Sequence, residues 1–287
     1  MTKKFGFVVL NYKNYEEAIC CIDSILAISD SNYHIVVVDN DSPNDSFDVL
    51  AHRYVGHTKI DVMRSGRNGG YSFGNNCGIA ALEALGIHEV IIATSDTVVL
   101  SKDILSQLAR LEAPDLGVVG PNVVNLHNEQ QNPMLAAMTL RYVLNIHAPA
   151  LAALLRNSVY ALRRLLGKTG RIGAGAPRVP ASSAPVYMIH GCFLYLSSHY
   201  LQKCGKLDES LFMYGEEDLL AFNCRSAKLT TLYAPGIAVL HKEAMSTPSA
   251  NGNAFFSINS KQSIRYLKSK MPLGSLIRDA VTGRSAP

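Results

Sequence analysis

From Lys4 to about Val124, short apolar runs rich in β-branched residues alternate with helix-patterned runs, which restricts the chain to few architectures. KFGFVVLNY reads as a first buried strand. EEAICCIDSILAI follows, with Ile19, Ile22 and Leu26 on one helical face and two glutamates where the helix dipole favours them. HIVVVDN is a second buried strand, closed by the turn-rich DNDSPNDS, and KIDVMRS is a third, edge-like strand. GRNGGYSFGNN reads as a loop leading into the helix NCGIAALEALG, which stops at Gly86 as a C′ glycine. EVIIATSD is the next strand, SKDILSQLARLEA a helix with Ser101 as its N-cap, and LGVVGPNVV a further strand. The alternation predicts an α/β fold, a mainly parallel central sheet with helices on both faces. Such sheets bind ligands outside the carboxyl ends of their strands. Asn11, Asp39 and Asp96 end three of these strands and are expected to share one polar rim.

Residues 128–185 break the alternation. MLAAMTLRYVL and PALAALLRNSVYALRRLLG have the pattern of amphipathic helices with basic faces, and GRIGAGAPRVPASSAP that of a loop or lid. VYMIHGCFLYLS then reads as a strand, LFMYGEEDLLAFNCRSAKL as a turn into a helix, TTLYAPGIAVLH as a final strand, and SINSKQSIRYLKSK as a helix in the tail. The net charge is only +4, yet no Asp or Glu occurs from Gln130 to Leu207, a stretch that carries Arg141, Arg156, Arg163, Arg164, Lys168, Arg171, Arg178, Lys203 and Lys206. A one-sign block of this kind suits an anionic partner or a solvated basic face. It lacks the aromatic interleaving of a nucleic-acid surface. No apolar run is long enough to span a bilayer. The six cysteines form no CxxC pair, and no signal peptide is evident, so a cytoplasmic protein with reduced cysteines is expected.

Several short motifs bear on chemistry. Gly69-x4-Gly74 has the spacing of a phosphate-binding loop, but Asn75-Asn76 stands where Lys-Ser/Thr is needed, and G-x-G-x-x-G is not matched. A P-loop ATPase and a nicotinamide-dependent oxidoreductase are therefore disfavoured. Asp39 can accept hydrogen bonds from a base or ribose, or merely tie an Asx turn. Asp96 lies within the apolar VIIATSDTVVL with no second acid beside it, and a lone carboxylate there needs a partner. YGEED crowds three acids at a helix entrance, which favours the dipole and also raises a carboxyl toward general-base use. His241 closes the last strand on the same rim.

Taken in order, VVLNYKNYEEAICCIDSI, IVVVDNDSPNDS, NGGYSFGNNCGI, TSDT, HGCFLYLS, LDESLFMYGEEDLLA and PGIAVLH resemble the family 2 glycosyltransferases, which have the GT-A nucleotide-sugar fold. Within that family the chain resembles bacterial rhamnosyl- and other hexosyltransferases of surface polysaccharide synthesis. The resemblance implies a GT-A catalytic domain over 1–245, with 128–185 as a basic helical insertion and 246–287 as a C-terminal helical extension. It implies inverting transfer of a sugar from a nucleotide-diphosphate donor to a hydroxyl of a glycan or lipid-linked acceptor. Asn11, Tyr12, Asp39, Asn40, Arg67, Asn68, Gly69 and Gly70 would then bind the nucleotide sugar, together with Asp96. Asp96 aligns with the last acid of the family's Asp-x-Asp metal motif, whose first position is Thr94 here, a departure. His241 matches a histidine that can help bind the metal, Mg²⁺ or Mn²⁺, or the diphosphate. The general base falls on Glu217, the second acid of the family's Tyr-x-Glu-Asp/Glu pattern, or on its neighbour Asp218, since the further acid that the family usually has two positions later is Leu219 here. UDP- or dTDP-linked donors are expected, because uracil and thymine both offer an imide N–H. The acid-free block would contact an anionic membrane surface on the inner face of the plasma membrane. A nucleotide-sugar-binding protein that has lost catalysis is the alternative that the reduced metal motif leaves open.

Overall fold

In the computed structural model of the chain, the described residues are 3–155, 158, 179–243 and 252–282. The alternating region forms β1 (Phe5–Asn11), β2 (Tyr33–Asp39), β3 (Ile60–Arg64) and β4 (Glu89–Thr94), parallel and side by side in the order β3-β2-β1-β4. β3 is the edge strand, as its weak pattern predicts. Beyond β4 the sheet is mixed. β8 (Phe193–Leu196) runs antiparallel between β4 and β6 (Leu116–Asn125), and β9 (Thr230–His241) is parallel to β6. β5 (Thr97–Val99) and β7 (Ala184–Pro185) each pair antiparallel with β9.

The strand period of two sorts the core into two layers. Phe5, Phe7, Val9, Ile35, Val37, Ile91 and Ala93 face one side, where α1 (Tyr15–Leu26) buries Ala18, Cys21, Ile22 and Ile25 against them. On that side α2 (Ser46–Tyr54) adds Leu50, and α4 (Ile104–Arg110) adds Ile104, Leu105 and Leu108. Val8, Val36, Val38, Val90 and Ile92 face the other side, under α3 (Gly70–Ala84). Strands buried on both faces have no polar alternation, which is why they read as continuous apolar runs. A third core joins Met138, Val143 and Ile146 to Leu211, Leu219, Leu267, Met271 and Leu276. It unites α5 (Leu140–His147), α7 (Glu216–Ser226), α8 (Gly252–Lys270) and α9 (Leu273–Thr282). Arg225 clamps α7 to α9 through both oxygens of Asp279.

Four local expectations change. YSFGNN is helical, because Gly70, Gly74 and Gly78 recur every four residues and form the stripe by which α3 approaches the sheet. A Cβ on Gly74 would lie 2.4 Å from Leu10 Cδ1, and one on Gly78 2.4 Å from Val8 Cγ1. Ser101 does not cap a helix; its hydroxyl accepts from Ala238 N at 2.8 Å, and α4 begins at Ile104. MLAAM is not helical, since Leu135 exchanges backbone hydrogen bonds with Met188 and the helix starts after Thr139, whose side chain caps Tyr142 N. VYMIHGC is mostly irregular and turns at Gly191, so β8 begins only at Phe193. α2, α6 (Ser198–Cys204) and α9 were not expected from the pattern. The second basic helix is described over 149–155, and the rest of it, with Arg156, Arg163, Arg164, Lys168, Arg171 and Arg178, lies outside the described residues. Gly86 ends α3 in the left-handed region at φ +71°, as its C′ position predicts.

Gly70 is the least replaceable residue of this frame. Its φ is +87°, and a Cβ there would sit 2.0 Å from the Phe212 carbonyl oxygen. Gly70→Ala is expected to destabilise the protein by about 1–3 kcal/mol. Urea unfolding monitored by circular dichroism measures this, and an unchanged midpoint would contradict it.

Candidate active site

The carboxyl ends of β1, β2 and β4 form one rim. Asn11 and Asp39 are in register and fully buried, and Asn11 Nδ2 donates to Asp39 Oδ2 at 2.9 Å. Asp39 also accepts from Ser42 N at 2.8 Å and from Ser42 Oγ at 2.7 Å, an Asx turn that folds the loop after β2. Its carboxylate thus acts on its own loop, while Asn11 Oδ1 is buried without a hydrogen-bond partner. Asn40 ties the next loop, donating to Asn68 Oδ1 and the Gly70 carbonyl at 3.1 Å each and accepting from Ser65 Oγ. Gly69 precedes α3, and a Cβ on it would strike the Phe73 ring. Arg67 is exposed, with its guanidinium 4.4 Å from the Phe73 ring centroid. Tyr12 is half-buried beside Lys13. These predicted residues therefore lie together on the β1–β2–α3 edge.

Asp96 occupies the turn between β4 and β5. Ser95 N bonds to Leu10 O, which joins that turn to the end of β1. Thr94, the departure from the two-acid pattern, donates its hydroxyl to Asp96 Oδ1 at 2.7 Å. Antiparallel pairing of β5 with β9 sets Thr97 opposite His241, and Asp96 Oδ2 lies 3.3 Å from His241 Nε2. Burial alone would raise the Asp96 carboxyl, but the His241 contact and the Thr94 hydroxyl outweigh it and hold the group below its usual value. Carboxylate and imidazole are both ligands that a divalent ion accepts, so this pair fits one. His190 and Cys192 adjoin it. Among the described residues, the ligand atoms of His190, Cys192 and His241 lie within 4.8 Å of one another. Burial and the neighbouring His241 push His190 down to about 4.

The turn His190–Cys192 connects this pair to the acids of α7. Thr94 N bonds to the Cys192 carbonyl at 2.8 Å. One residue back, the Gly191 carbonyl accepts the Tyr71 hydroxyl at 2.5 Å, and Gly191 N donates to Glu217 Oε1 at 3.2 Å. Gly215, left-handed at φ +99°, starts α7 so that Glu216, Glu217 and Asp218 fill its first turn. Burial raises Glu217 to about 7, with Asp218 adding to the rise and backbone N–H groups opposing it. Burial also raises Asp218, whose Oδ1 accepts the Tyr142 hydroxyl of α5. Glu217 faces the Gly191 turn, whereas Asp218 anchors the segment that interrupts the alternating fold. Tyr71, Tyr142 and His190 lie within NGGYSFG, MLAAMTLRYVL and HGCFLYLS, but nothing in those patterns marks them individually, and Gln131 lies in no motif.

Tyr71→Phe removes the donor to the Gly191 carbonyl and is expected to cost about 0.5–1.5 kcal/mol of stability. Thermal unfolding checks the cost, and an unchanged transition would mean that the Gly191 turn does not need this bond.

A family model described as "Glycosyltransferase like family 2" matches residues 3–265. The low-salt glycan biosynthesis hexosyltransferase Agl10 of Haloferax volcanii is 23% identical over 244 residues, covering 85% of this chain and 68% of Agl10. GalNAc-T7, solved with UDP, GalNAc and Mn²⁺, superposes with a TM-score of 0.60 at 12% identity, over 93% of this chain and 48% of its own. The mannosyltransferase PcManGT from Pyrobaculum calidifontis, solved with GDP-Man and Mn²⁺, gives 0.56 at 14% identity, over 100% of this chain and 66% of its own. S. aureus TarS in complex with UDP-GlcNAc gives 0.55 at 13%, over 97% of this chain and 71% of its own. The chain thus spans about half the length of GalNAc-T7 and about two thirds of PcManGT. These likenesses show the GT-A fold.

Proposed function

The chain belongs to the glycosyltransferase-like family 2, and from that footing we propose that it is an inverting hexosyltransferase with Glu217 as its general base. The observation that carries this reading is the Gly191 turn, which binds Glu217 on one side and, through Cys192, the Thr94–Asp96 turn on the other. One short segment thereby links the loop of a carboxyl with a value near neutrality to the turn of a carboxylate kept ionised. Two carboxyls driven apart by their surroundings suit an acid–base division of labour.

In the proposed reaction, an acceptor hydroxyl oxygen attacks the anomeric carbon of the donor from the face opposite the diphosphate. Its C–O bond forms as the bond to the phosphate oxygen breaks, and the nucleoside diphosphate leaves with the electron pair. Glu217 takes the hydroxyl proton. Asp218, held by Tyr142, keeps α7 fixed against α5. Asp96 and His241 would hold Mg²⁺ or Mn²⁺, which when bound neutralises charge on the departing diphosphate; GalNAc-T7 and PcManGT were both solved with Mn²⁺.

Asn11, Tyr12, Asn40, Arg67, Asn68, Gly69 and Gly70 would line the nucleoside side of the cleft. Asp39 would support it through the turn it ties, which leaves Asn11 Oδ1 as the unused acceptor of that rim. UDP- or dTDP-linked hexoses are the proposed donors; GalNAc-T7 and TarS were solved with UDP or a UDP-sugar. A glycan or lipid-diphosphate-linked acceptor in polysaccharide synthesis is proposed, and it fits an enzyme seated on anionic lipid. α5 contacts α9. Leu140, Leu151, Leu154 and Leu155, in and just after α5, are exposed, as are Leu273, Ile277 and Val281 of α9. Arg141 and Arg278 are exposed on the same two helices. No helix among the described residues is long and apolar enough to cross a membrane.

Glu217→Gln is expected to slow transfer by about 10²- to 10⁴-fold while UDP still shifts the melting temperature; Asp218→Asn is expected to keep most of the rate. The wild-type rate is expected to climb as pH rises through about 7, where it is half-maximal, and to level off above it, because only ionised Glu217 accepts a proton. Near-normal turnover by Glu217→Gln would remove the assignment. Separately, co-sedimentation with liposomes is expected to require anionic lipid and to weaken with salt; binding indifferent to lipid charge would reject the membrane surface.

A further inference from the structure

The segment Glu129–Asn132, which no sequence motif marks, is tied side chain by side chain to the wall behind Asp96. Glu129 Oε2 accepts from Asn125 Nδ2 at 2.9 Å, and Gln130 Nε2 donates to the Tyr233 hydroxyl at 2.7 Å. Asn132 Oδ1 accepts from His190 N at 2.7 Å. Gln131 contacts the site itself. Its Oε1 lies 2.7 Å from His241 Nδ1, and its Nε2 donates to Glu243 Oε1 at 2.5 Å.

The chemistry of that chain allows one proton arrangement. A carboxylate only accepts, so the amide nitrogen of Gln131 must face Glu243 and its oxygen must face His241. An amide oxygen only accepts, so His241 must carry a proton on Nδ1. When His241 is neutral, Nε2 is then left as a bare lone pair, and the atom opposite it is Asp96 Oδ2 at 3.3 Å. Two lone pairs facing each other repel unless a proton, as in the charged imidazolium that lowers Asp96, or a metal cation lies between them. Two ligands about 2.1 Å from one ion lie roughly 3.0 to 3.4 Å apart. The measured spacing falls in that range. Thr94 meanwhile donates to the other oxygen of Asp96, which turns Oδ2 toward His241.

We propose that Gln131 is a positioning residue: oriented by Glu243, it fixes His241 as the Nδ1–H tautomer, so that Nε2 and Asp96 Oδ2 form a ready-made pair of ligands for a divalent cation. This rests on the reading of Asp96 and His241 as metal ligands. It assigns the Gln131–Glu243 pair the role that a buried carboxylate or carbonyl plays behind many metal-binding histidines. It also gives a reason for one carboxylate to suffice where the family resemblance implies two, since the second ligand is held in its binding form in advance.

The test begins on metal-free full-length protein. Two-dimensional ¹H–¹⁵N spectra of the histidine side chains at alkaline pH, with His241 assigned by His241→Gln, report which ring nitrogen is protonated. The wild type is expected to show Nδ1 protonated and Nε2 bare. Gln131→Leu is expected to lose that single tautomer and to bind Mn²⁺ about 10- to 100-fold more weakly by electron paramagnetic resonance titration. The exchanged pair Gln131→Glu with Glu243→Gln keeps an acceptor toward Nδ1 and a donor behind it, and is expected to restore both readouts. Circular dichroism shows that each variant is folded. Wild-type His241 protonated on Nε2, or a Gln131→Leu protein with unchanged tautomer and Mn²⁺ affinity, would overturn the proposal. Failure of the metal reading looks different: wild type and Asp96→Asn would take up Mn²⁺ equally poorly, while the tautomer spectra still decide what Gln131 does.

Discussion

The Gly191 peptide is gripped from both ends: Tyr71 donates to its carbonyl, and Glu217 accepts from its amide nitrogen. Glu217 and, through Cys192, the Thr94–Asp96 turn are positioned through that grip. Tyr71 comes from α3, whose glycine stripe seats it close over β1; Glu217 comes from α7, which starts after the left-handed Gly215. The next carbonyl, Cys192, closes on Thr94 and so joins Asp96 to the same turn. A Cβ at position 191 would lie 3.1 Å from Glu217 Oε1, so the approach of the acid to this backbone depends on glycine. Parts of the chain far apart in sequence thus meet at one short turn.

Electrostatics within this space separates the carboxyls. Desolvation raises Glu216, Glu217 and Asp218, and at Glu217 it outweighs the hydrogen bonds from backbone N–H groups. At Asp96 desolvation loses to the hydrogen bond and charge of His241 and to the Thr94 hydroxyl. The outcome is one carboxyl poised near neutral pH and one that stays ionised. Thr94 thus has a task of its own. Where the family resemblance leads one to look for a second acid, a hydroxyl orients the surviving one.

The parallel half of the sheet was legible because β1, β2 and β4 are buried on both faces and read as unbroken apolar runs. The rim residues Asn11, Asp39 and Asp96 followed from that, since each ends or follows a strand. The antiparallel half was less legible: β8 is four residues long and lies after a turn whose apolar residues, Val186 to Ile189, look like strand but pack as irregular chain. The GGYSFG run misled as a loop because its glycines serve helix packing, a tertiary cause that local pattern does not reveal. Ser101 misled for a similar reason, its hydroxyl being taken by β9. Glu217 and Asp218 could not be told apart by sequence; what separates them is Tyr142, a residue of α5 that reaches only one of the two. Gln131 was invisible because a single amide between polar neighbours carries no periodic or motif signal.

The stereochemistry of the first-formed product tests the central claim most directly. The nucleotide sugar that most raises the melting temperature can be incubated with the protein and Mn²⁺, and the anomeric proton of the new glycoside, or of the free hexose released to water, followed by NMR before it equilibrates. Direct displacement with Glu217 as base predicts a product anomer opposite to that of the donor, formed far more slowly by Glu217→Gln. A first-formed product that keeps the donor's configuration would contradict the account.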